Sequence, residues 1–380
     1  MKTMYWRPQR VSSKALFIIA AFSAVGLFAV ENFKVQEKQS NYSLKIKAGN
    51  IALTAFDAVK SERIKRGIAI DSETDPAQSG LIGELLTPVT TNPGHLPAKQ
   101  TSANPNFAAV ILHMLKRAGV EKGDKVAVGM SGSFPALNIC TLAAIKVIGA
   151  EPVIITSVGS SQWGANVPQF MWPDMEKILA DRNLLPYRTI AMTRGGIEDR
   201  ALGLTKAARD LLDEAAKRNG GKMYTVRDYQ DSVEVRSTLY KEHSDDKEYT
   251  AYINVGGGTS SVGTKVGKHL FEPGLNMDMP KGIFTIDSVM MRFISEGTPV
   301  IHLSQIDEIA KRYGLPLQPT VTPKIGEGKI FYKEVYSKPL IVAILVAIVL
   351  LLVFFVRMDW GYRIMVQGKK PGPNRPERMV

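Results

Sequence analysis

The chain has 380 residues, of which 45% are hydrophobic and 22% are charged, and these values are ordinary for a globular protein. They exclude wholesale disorder and a polytopic membrane transporter. The single cysteine, Cys140, excludes a disulfide framework and a multi-cysteine metal site, and its apolar neighbours predict a buried thiol.

The net charge of +12 is concentrated at the two ends of the chain. Residues 1–30 and residues 357–380 each carry +4, which leaves +4 for the 308 residues from 31 to 338. So small a net charge predicts a surface on which basic and acidic side chains are mixed, without a basic stripe that would bind a polyanion. We therefore predict no nucleic-acid partner.

Two uncharged apolar runs flank the middle of the chain, 16 residues at 15–30 and 17 residues at 340–356. Both are close to the length that crosses a hydrocarbon core, so we predict transmembrane helices at 15–30 and 339–356. A cleaved secretory signal is the alternative for the first run. Under either interpretation the middle of the chain is exported.

Flanking lysines and arginines slightly favour an orientation with both basic tails, 1–14 and 357–380, in the cytoplasm. The predicted location is a cell membrane, either inner or plasma, with the lipid bilayer as a partner. Residues 31–338 then form an extracytoplasmic domain. Within it, residues 31–105 hold a helix and a long loop, and residues 106–320 hold the sheet core.

Helical and strand patterns alternate along this domain. A helical pattern that starts at Leu44 ends at Gly67, and a long proline- and threonine-rich loop occupies 86–105. After a helix that begins at Phe107, the predicted elements are a strand at 125–130, a helix at 135–148 and a strand at 152–157. The last three form a βαβ unit with a parallel pair of strands.

The second half continues the alternation. The predicted strands are 187–192, 249–255 and 300–303, and the predicted helices are 199–218, 288–296 and 305–313. Residues 222–247 are charged and poorly periodic, which predicts a surface insertion. The fold class is α/β, with a mostly parallel, doubly wound-like sheet and flanking helices.

Four predicted strands are followed by turns rich in small residues. Ligands of open parallel sheets bind at the carboxyl ends of the strands, where glycine allows close approach and free amides favour an anion. We therefore predict one crevice for a phosphate or a carboxylate. The predicted ligand-binding residues are Gly129, Gly132, Ser157, Ser160, Arg194, Gly195, Gly256, Gly257, Gly258 and Thr259.

A serine hydrolase is an alternative use of the same turns. The predicted catalytic residues are Ser131 and Ser133, at a strand-to-helix turn, with His302 as the base at the end of a strand. The turn lacks the second glycine of a nucleophile elbow, so a capping or ligand-binding serine is equally open. No Gly-Lys-Ser/Thr follows the glycines of 254–259, so we predict no nucleotide and no other cofactor.

Several segments resemble the poly-γ-glutamate system protein family, whose members are membrane proteins found with the machinery that makes and exports poly-γ-glutamate. They are GLIGELLTP at 80–88, NPNFAA at 104–109, GMSGSFPALN at 129–138 and NVGGGT at 254–259, between the two terminal spans. The resemblance implies poly-γ-glutamate, or its synthase and export subunits, as partners. It assigns no catalytic residue.

Three functions follow as hypotheses. The first is a membrane-anchored accessory protein of poly-γ-glutamate synthesis or export, whose exported domain binds the polymer or an envelope partner. Because the domain is nearly neutral, contact with the polymer would be local, through Arg194, Lys99 or backbone amides. The second is an envelope amide hydrolase or transferase that trims or attaches the polymer, and the third is a non-catalytic scaffold with a degenerate enzyme fold.

Overall fold

A computed structural model describes residues 13–263, 270–280 and 286–357, with no side-chain description at 357. The predicted cytoplasmic tails therefore lie almost entirely outside the described residues. The chain divides into two compact units, one formed by residues 1–38 with 332–380 and the other by residues 39–331.

The first unit joins the two ends of the chain. It contains helices α1 (Ser13–Asn32) and α12 (Lys338–Arg357) and the antiparallel strands β1 (Lys34–Lys38) and β10 (Tyr332–Tyr336). Both helices are long enough and apolar enough to cross a membrane, and their apolar side chains are largely exposed. They approach each other at Gly26, where an added Cβ would lie 2.6 Å from Ile344 Cγ2.

The second unit is built on a six-stranded sheet, and the mostly parallel α/β fold is confirmed. The strands are β2 (Lys125–Ser131), β3 (Glu151–Ser157), β6 (Ala191–Thr193), β7 (Tyr249–Val255), β8 (Gly274–Asn276) and β9 (Val300–Leu303). Their spatial order is β6-β3-β2-β7-β9-β8, and only β8 runs antiparallel. A separate hairpin pairs β4 (Asn166–Val167) with β5 (Phe170–Met171).

Helices cover the sheet on both faces. They are α2 (Tyr42–Lys65), α3 (Leu96–Ser102), α4 (Phe107–Arg117), α5 (Pro135–Ile148), α6 (Trp172–Asp181), α7 (Lys206–Arg218), α8 (Tyr229–Glu242), α9 (Thr259–Val262), α10 (Val289–Ser295) and α11 (Ile306–Tyr313). Helices α2, α4 and α5 pack together. On the other face, Ala127 and Tyr252 of the sheet pack against Val233 of α8 and Phe293 of α10.

Three local predictions were wrong. The strand predicted at 187–192 is reduced to β6, and the helix predicted at 199–218 begins only at Lys206, where the side chain of Thr205 caps it. Left-handed backbone at Asp199 and Ala201 prevents an earlier start. Residues 222–247 are not a surface insertion, because they contain α8, which buries Val233 and Tyr240 against the sheet.

Candidate functional site

A cleft of about 820 Å³ lies at the carboxyl ends of the central strands. From β2 the chain moves outward to β3 and β6, and it then returns to the other side of β2 as β7 and β9. The loops after β2 and β7 therefore diverge in opposite directions, which opens a crevice at this topological switch point. The cleft is lined by the turns that follow both strands.

The four small-residue turns contribute unequally to the cleft. Of the predicted catalytic and ligand-binding residues, seven line it: Ser131, Ser133, Ser157, Gly256, Gly257, Gly258 and Thr259. They come from the ends of β2, β3 and β7. Gly196 and Asp199 of the turn after β6 also line the cleft, so the structure brings all four predicted turns together around one volume.

The glycines outside the cleft have packing roles. At Gly129, an added Cβ would lie 2.5 Å from Tyr252 Oη, and at Gly132 it would lie 2.8 Å from the carbonyl oxygen of Val158. Gly195 has φ +75°, and its added Cβ would lie 2.9 Å from Ser157 Cβ. These positions need glycine because neighbouring chain segments approach closely.

Two predicted polar residues are held by partners within the protein. Arg194 makes a bidentate ion pair with Asp213, at 2.9 Å from Nε and 2.6 Å from Nη2. Ser160 is buried, and its Oγ donates to the carbonyl oxygen of Ser161 at 2.9 Å. Neither residue is among those that line the cleft.

The predicted serine–histidine arrangement is not assembled. His302 is fully buried on β9, and its Nδ1 lies 3.1 Å from Asn254 Nδ2. Ser131 Oγ donates to the carbonyl oxygen of Val255 at 3.3 Å. Within the described parts of the chain, no hydrogen bond joins His302 to Ser131 or Ser133.

One wall of the cleft rests on a buried ion pair. Arg236 of α8 and Asp199 of the loop after β6 are both at least 96% buried, and Arg236 Nη2 lies 2.8 Å from Asp199 Oδ2. The same Nη2 donates to Ser157 Oγ at 2.9 Å and to Thr193 Oγ1 at 2.7 Å. The pair therefore ties the ends of β3 and β6 to α8 and leaves this wall without net charge.

Hydroxyl groups extend the network toward β7. Ser232 Oγ donates to Asp199 Oδ2 at 2.6 Å and lies 2.7 Å from Ser260 Oγ at the start of α9. Because the carboxylate of Asp199 accepts bonds from both sides of the switch point, it positions the turns that line the cleft. The surface presented to a ligand is thus rich in hydroxyls and backbone amides.

Lys99 forms the opposite wall. It lies on α3, is 3% exposed, and its Nζ hydrogen-bonds to Ser161 Oγ at 2.9 Å and to the carbonyl oxygen of Ser133. The same Nζ lies 3.7 Å from the ring centroid of Phe134. Burial without a carboxylate partner lowers the pKa of Lys99 to about 7.

The mouth of the cleft is mixed in charge. The exposed imidazole of His95 lies 4.0 Å from Asp307, and the neighbouring Glu308 is also exposed at the rim.

Sequence reasoning missed most of the charged residues in this cleft. The sequence pattern places Asp199 at the end of the fourth turn and at the start of a predicted helix. It places Arg236 in a predicted surface insertion and predicts Lys99 only as a local contact for the polymer. Ser161 lies in the predicted turn at 157–164, whose predicted ligand-binding residues are Ser157 and Ser160 and do not include Ser161. The one available signal is the length of the 86–105 loop, which contains α3 and Lys99.

No protein-family model matches the chain, and no curated protein sequence matches it significantly. The resemblance to the poly-γ-glutamate system family therefore stays a prediction.

Proposed function

We propose that this protein is a membrane-anchored component of poly-γ-glutamate synthesis or export, and that its α/β domain binds the γ-glutamyl polymer in the cleft at the switch point. The observation on which this proposal depends is the convergence of the four small-residue turns and of Lys99 on one volume of about 820 Å³. The resemblance of its sequence segments supplies the identity of the ligand.

The chemistry of the cleft suits a polymer with one amide and one carboxylate per repeat. The hydroxyl of Thr259 and the amides of Gly257 and Gly258 can donate to carboxylate and carbonyl oxygens. The hydroxyl protons of Ser131 and Ser157 are donated to Val255 and Asp199. Arg236 is neutralised by Asp199, so neutral donors would make most of the contacts. Such a site fits a domain of low net charge, because it recognises a few repeats locally.

The terminal helices support anchoring of this domain at a membrane. In the proposed arrangement α1 and α12 both cross the bilayer of the cell membrane, both basic tails are cytoplasmic, and residues 39–331 lie outside the cytoplasm. A phosphatase reporter inserted in an exposed loop of residues 39–331 should be active. Activity of a cytoplasm-dependent reporter at the same position would overturn this orientation.

Gly258 allows a sharp test of polymer binding. Its φ of −59° suits any L-residue, its added Cβ meets no atom closer than 4.0 Å, and it is the N-cap of α9, a position that both Asp and Asn favour. Gly258→Asp adds a carboxylate to the cleft, whereas Gly258→Asn adds the same volume without charge. The matched pair therefore separates electrostatic repulsion from misfolding.

Binding of a fluorescent γ-linked glutamate oligomer would be measured by anisotropy with the full-length protein in detergent micelles. We expect the wild type and Gly258→Asn to bind, and Gly258→Asp to bind at least tenfold more weakly. An α-linked oligomer of equal length and charge should bind more weakly than the γ-linked one. Equal affinities of the two Gly258 variants, or of the two oligomers, would refute the proposal.

A further inference from the structure

We propose that Lys99 and Ser161 form a base–nucleophile pair for acyl transfer, so that the cleft is an active site for the cleavage or transfer of an amide-linked acyl group. The pair itself is argued from the cleft geometry alone. Only the choice of a γ-glutamyl amide as the substrate rests on the proposed function.

The hydrogen-bond inventory of Ser161 fits a nucleophile. The described hydrogen bond of its Oγ is the one to Lys99 Nζ at 2.9 Å, within the range for proton transfer. Its backbone amide donates to Ser133 Oγ at 3.1 Å, which fixes the residue from the other side. Ser161 is half-buried and lines the cleft, so a substrate carbonyl can reach its hydroxyl.

The surroundings of Lys99 fit a base. A neutral amine has two N–H donors and one lone pair. The carbonyl oxygen of Ser133 and the face of the Phe134 ring take the two donors, which leaves the lone pair for the hydroxyl proton of Ser161. The cleft supplies no carboxylate within salt-bridge distance of Nζ among the described residues, and burial lowers the pKa of Lys99 to about 7.

The same wall can stabilise a developing negative charge. Helix α5, with 14 residues, begins at Pro135 immediately after the cleft-lining Ser133 and Phe134. Pro135 has no N–H, so the first-turn amides without a partner within the helix are those of Ala136 and Leu137, and the positive end of the helix dipole lies at this wall. A tetrahedral oxyanion formed beside Ser161 would be stabilised there.

The proposed reaction balances without a cofactor. Ser161 Oγ forms a bond to the carbonyl carbon of the substrate while its proton passes to Lys99 Nζ. The carbon–nitrogen bond then breaks as Nζ gives that proton to the leaving amine, which leaves an acyl ester on Ser161. Water or a second amine attacks the ester, its proton passes to Nζ and from there to Ser161 Oγ, and the acyl group leaves as an acid or a new amide.

A fluorophosphonate probe tests the pair without any polymer. Activated Ser161 would attack phosphorus, fluoride would leave, and the proton would pass to Lys99. Full-length protein in detergent micelles would be labelled between pH 5 and 9 and the modified peptide identified by mass spectrometry. We expect modification at Ser161, with a rate that rises about tenfold or more from pH 5 to pH 7 and then levels off around pH 8.

Variants separate activation from folding. Ser161→Ala should abolish labelling, and Lys99→Met should lower its rate at least 100-fold per folded molecule. Lys45→Met is the matched control, because Lys45 is another buried lysine with a lowered pKa, of about 8, and lies outside the cleft. It should be labelled at the wild-type rate.

Two results would overturn the proposal. One is a folded wild-type protein that the probe does not modify at Ser161 at any pH, an outcome that needs no variant. The other is an equal labelling rate in wild type and Lys99→Met. Labelling that succeeds in a protein unable to bind γ-linked oligomers would leave the acyl-transfer pair intact and refute only the proposed polymer ligand.

Discussion

Lys99→Met should remove a distinctive pH dependence from the stability of this protein. Methionine has a similar length and no charge, so it preserves most of the packing on α3 and abolishes the titration. The carbonyl of Ser133 and the hydroxyl of Ser161 lose a partner, at about 1 kcal/mol each. The loss of these two hydrogen bonds lowers the free energy of unfolding of the variant by the same amount at every pH, so it does not contribute to the change in pH dependence.

The size of the effect follows from the environment of the amino group. Burial lowers the pKa of Lys99 to about 7 from the ordinary lysine value of 10.5. Between these values the unfolded chain binds more protons than the folded protein, so the free energy of unfolding rises with pH. From proton linkage, the contribution of Lys99 to the free energy of unfolding rises by about 2 kcal/mol from pH 7 to pH 9, but by only about 0.4 kcal/mol from pH 5 to pH 7.

The assay is urea unfolding of the full-length protein in detergent micelles, followed by tryptophan fluorescence from pH 5 to pH 9. The difference between wild type and Lys99→Met isolates the contribution of Lys99, since other groups titrate in both proteins. The corresponding difference for Lys45→Met should rise about one pH unit higher, because the pKa of Lys45 is about 8. If the free energies of unfolding of wild type and Lys99→Met changed in parallel with pH, the conclusion that Lys99 is a buried, partly neutral amine would be refuted.

Three further predictions concern the support of the cleft and the core. Arg236→Met should lower the free energy of unfolding by about 3–5 kcal/mol, because it leaves the carboxylate of Asp199 buried and unpaired. In urea unfolding, the double variant Arg236→Met/Asp199→Asn should lose less than the sum of the losses of the two single variants. Additive losses would contradict this coupling. Gly129→Ala should lower the midpoint of thermal unfolding, because the added Cβ would lie 2.5 Å from Tyr252 Oη. Adding Tyr252→Phe should restore most of the lost midpoint temperature. A midpoint that stays low in the double variant would locate the strain elsewhere. Cys140 is fully buried and desolvation raises its pKa, so iodoacetamide should modify this thiol only after the protein unfolds. Mass spectrometry checks the modification. Rapid modification of the native protein would contradict the burial of Cys140.

Local patterns along the sequence predicted most of the sheet and its helices. The apolar strand β2, the proline-led helix α5 and the strand β7 begin within a residue of the predicted positions, because each is a continuous apolar or periodic segment bounded by glycine, proline or charge. The buried thiol of Cys140 is confirmed for the same reason. The parallel arrangement followed from the alternation of strands with helices.

The predicted site was partly assembled because the rule for parallel sheets is geometric. Carboxyl ends of neighbouring strands meet at one edge, so Ser131, Ser157 and Gly257 line one cleft although they are distant in the sequence. The same rule could not tell which glycines face the cleft. Gly129 and Gly132 serve close packing of the chain, which depends on atoms that arrive from β7 and from the segment after β3.

The sequence by itself determined the elements whose signal is local: the two apolar terminal helices, the alternation of strands and helices, and the edge of the sheet where small residues collect. Tertiary structure decided which charges meet there. Lys99, Ser161, Asp199 and Arg236 come from four separate segments, and the burial that lowers the pKa of Lys99 exists only once these segments pack around it. Desolvation and hydrogen bonding are properties of the packed neighbours of a group, which no local pattern of residues specifies.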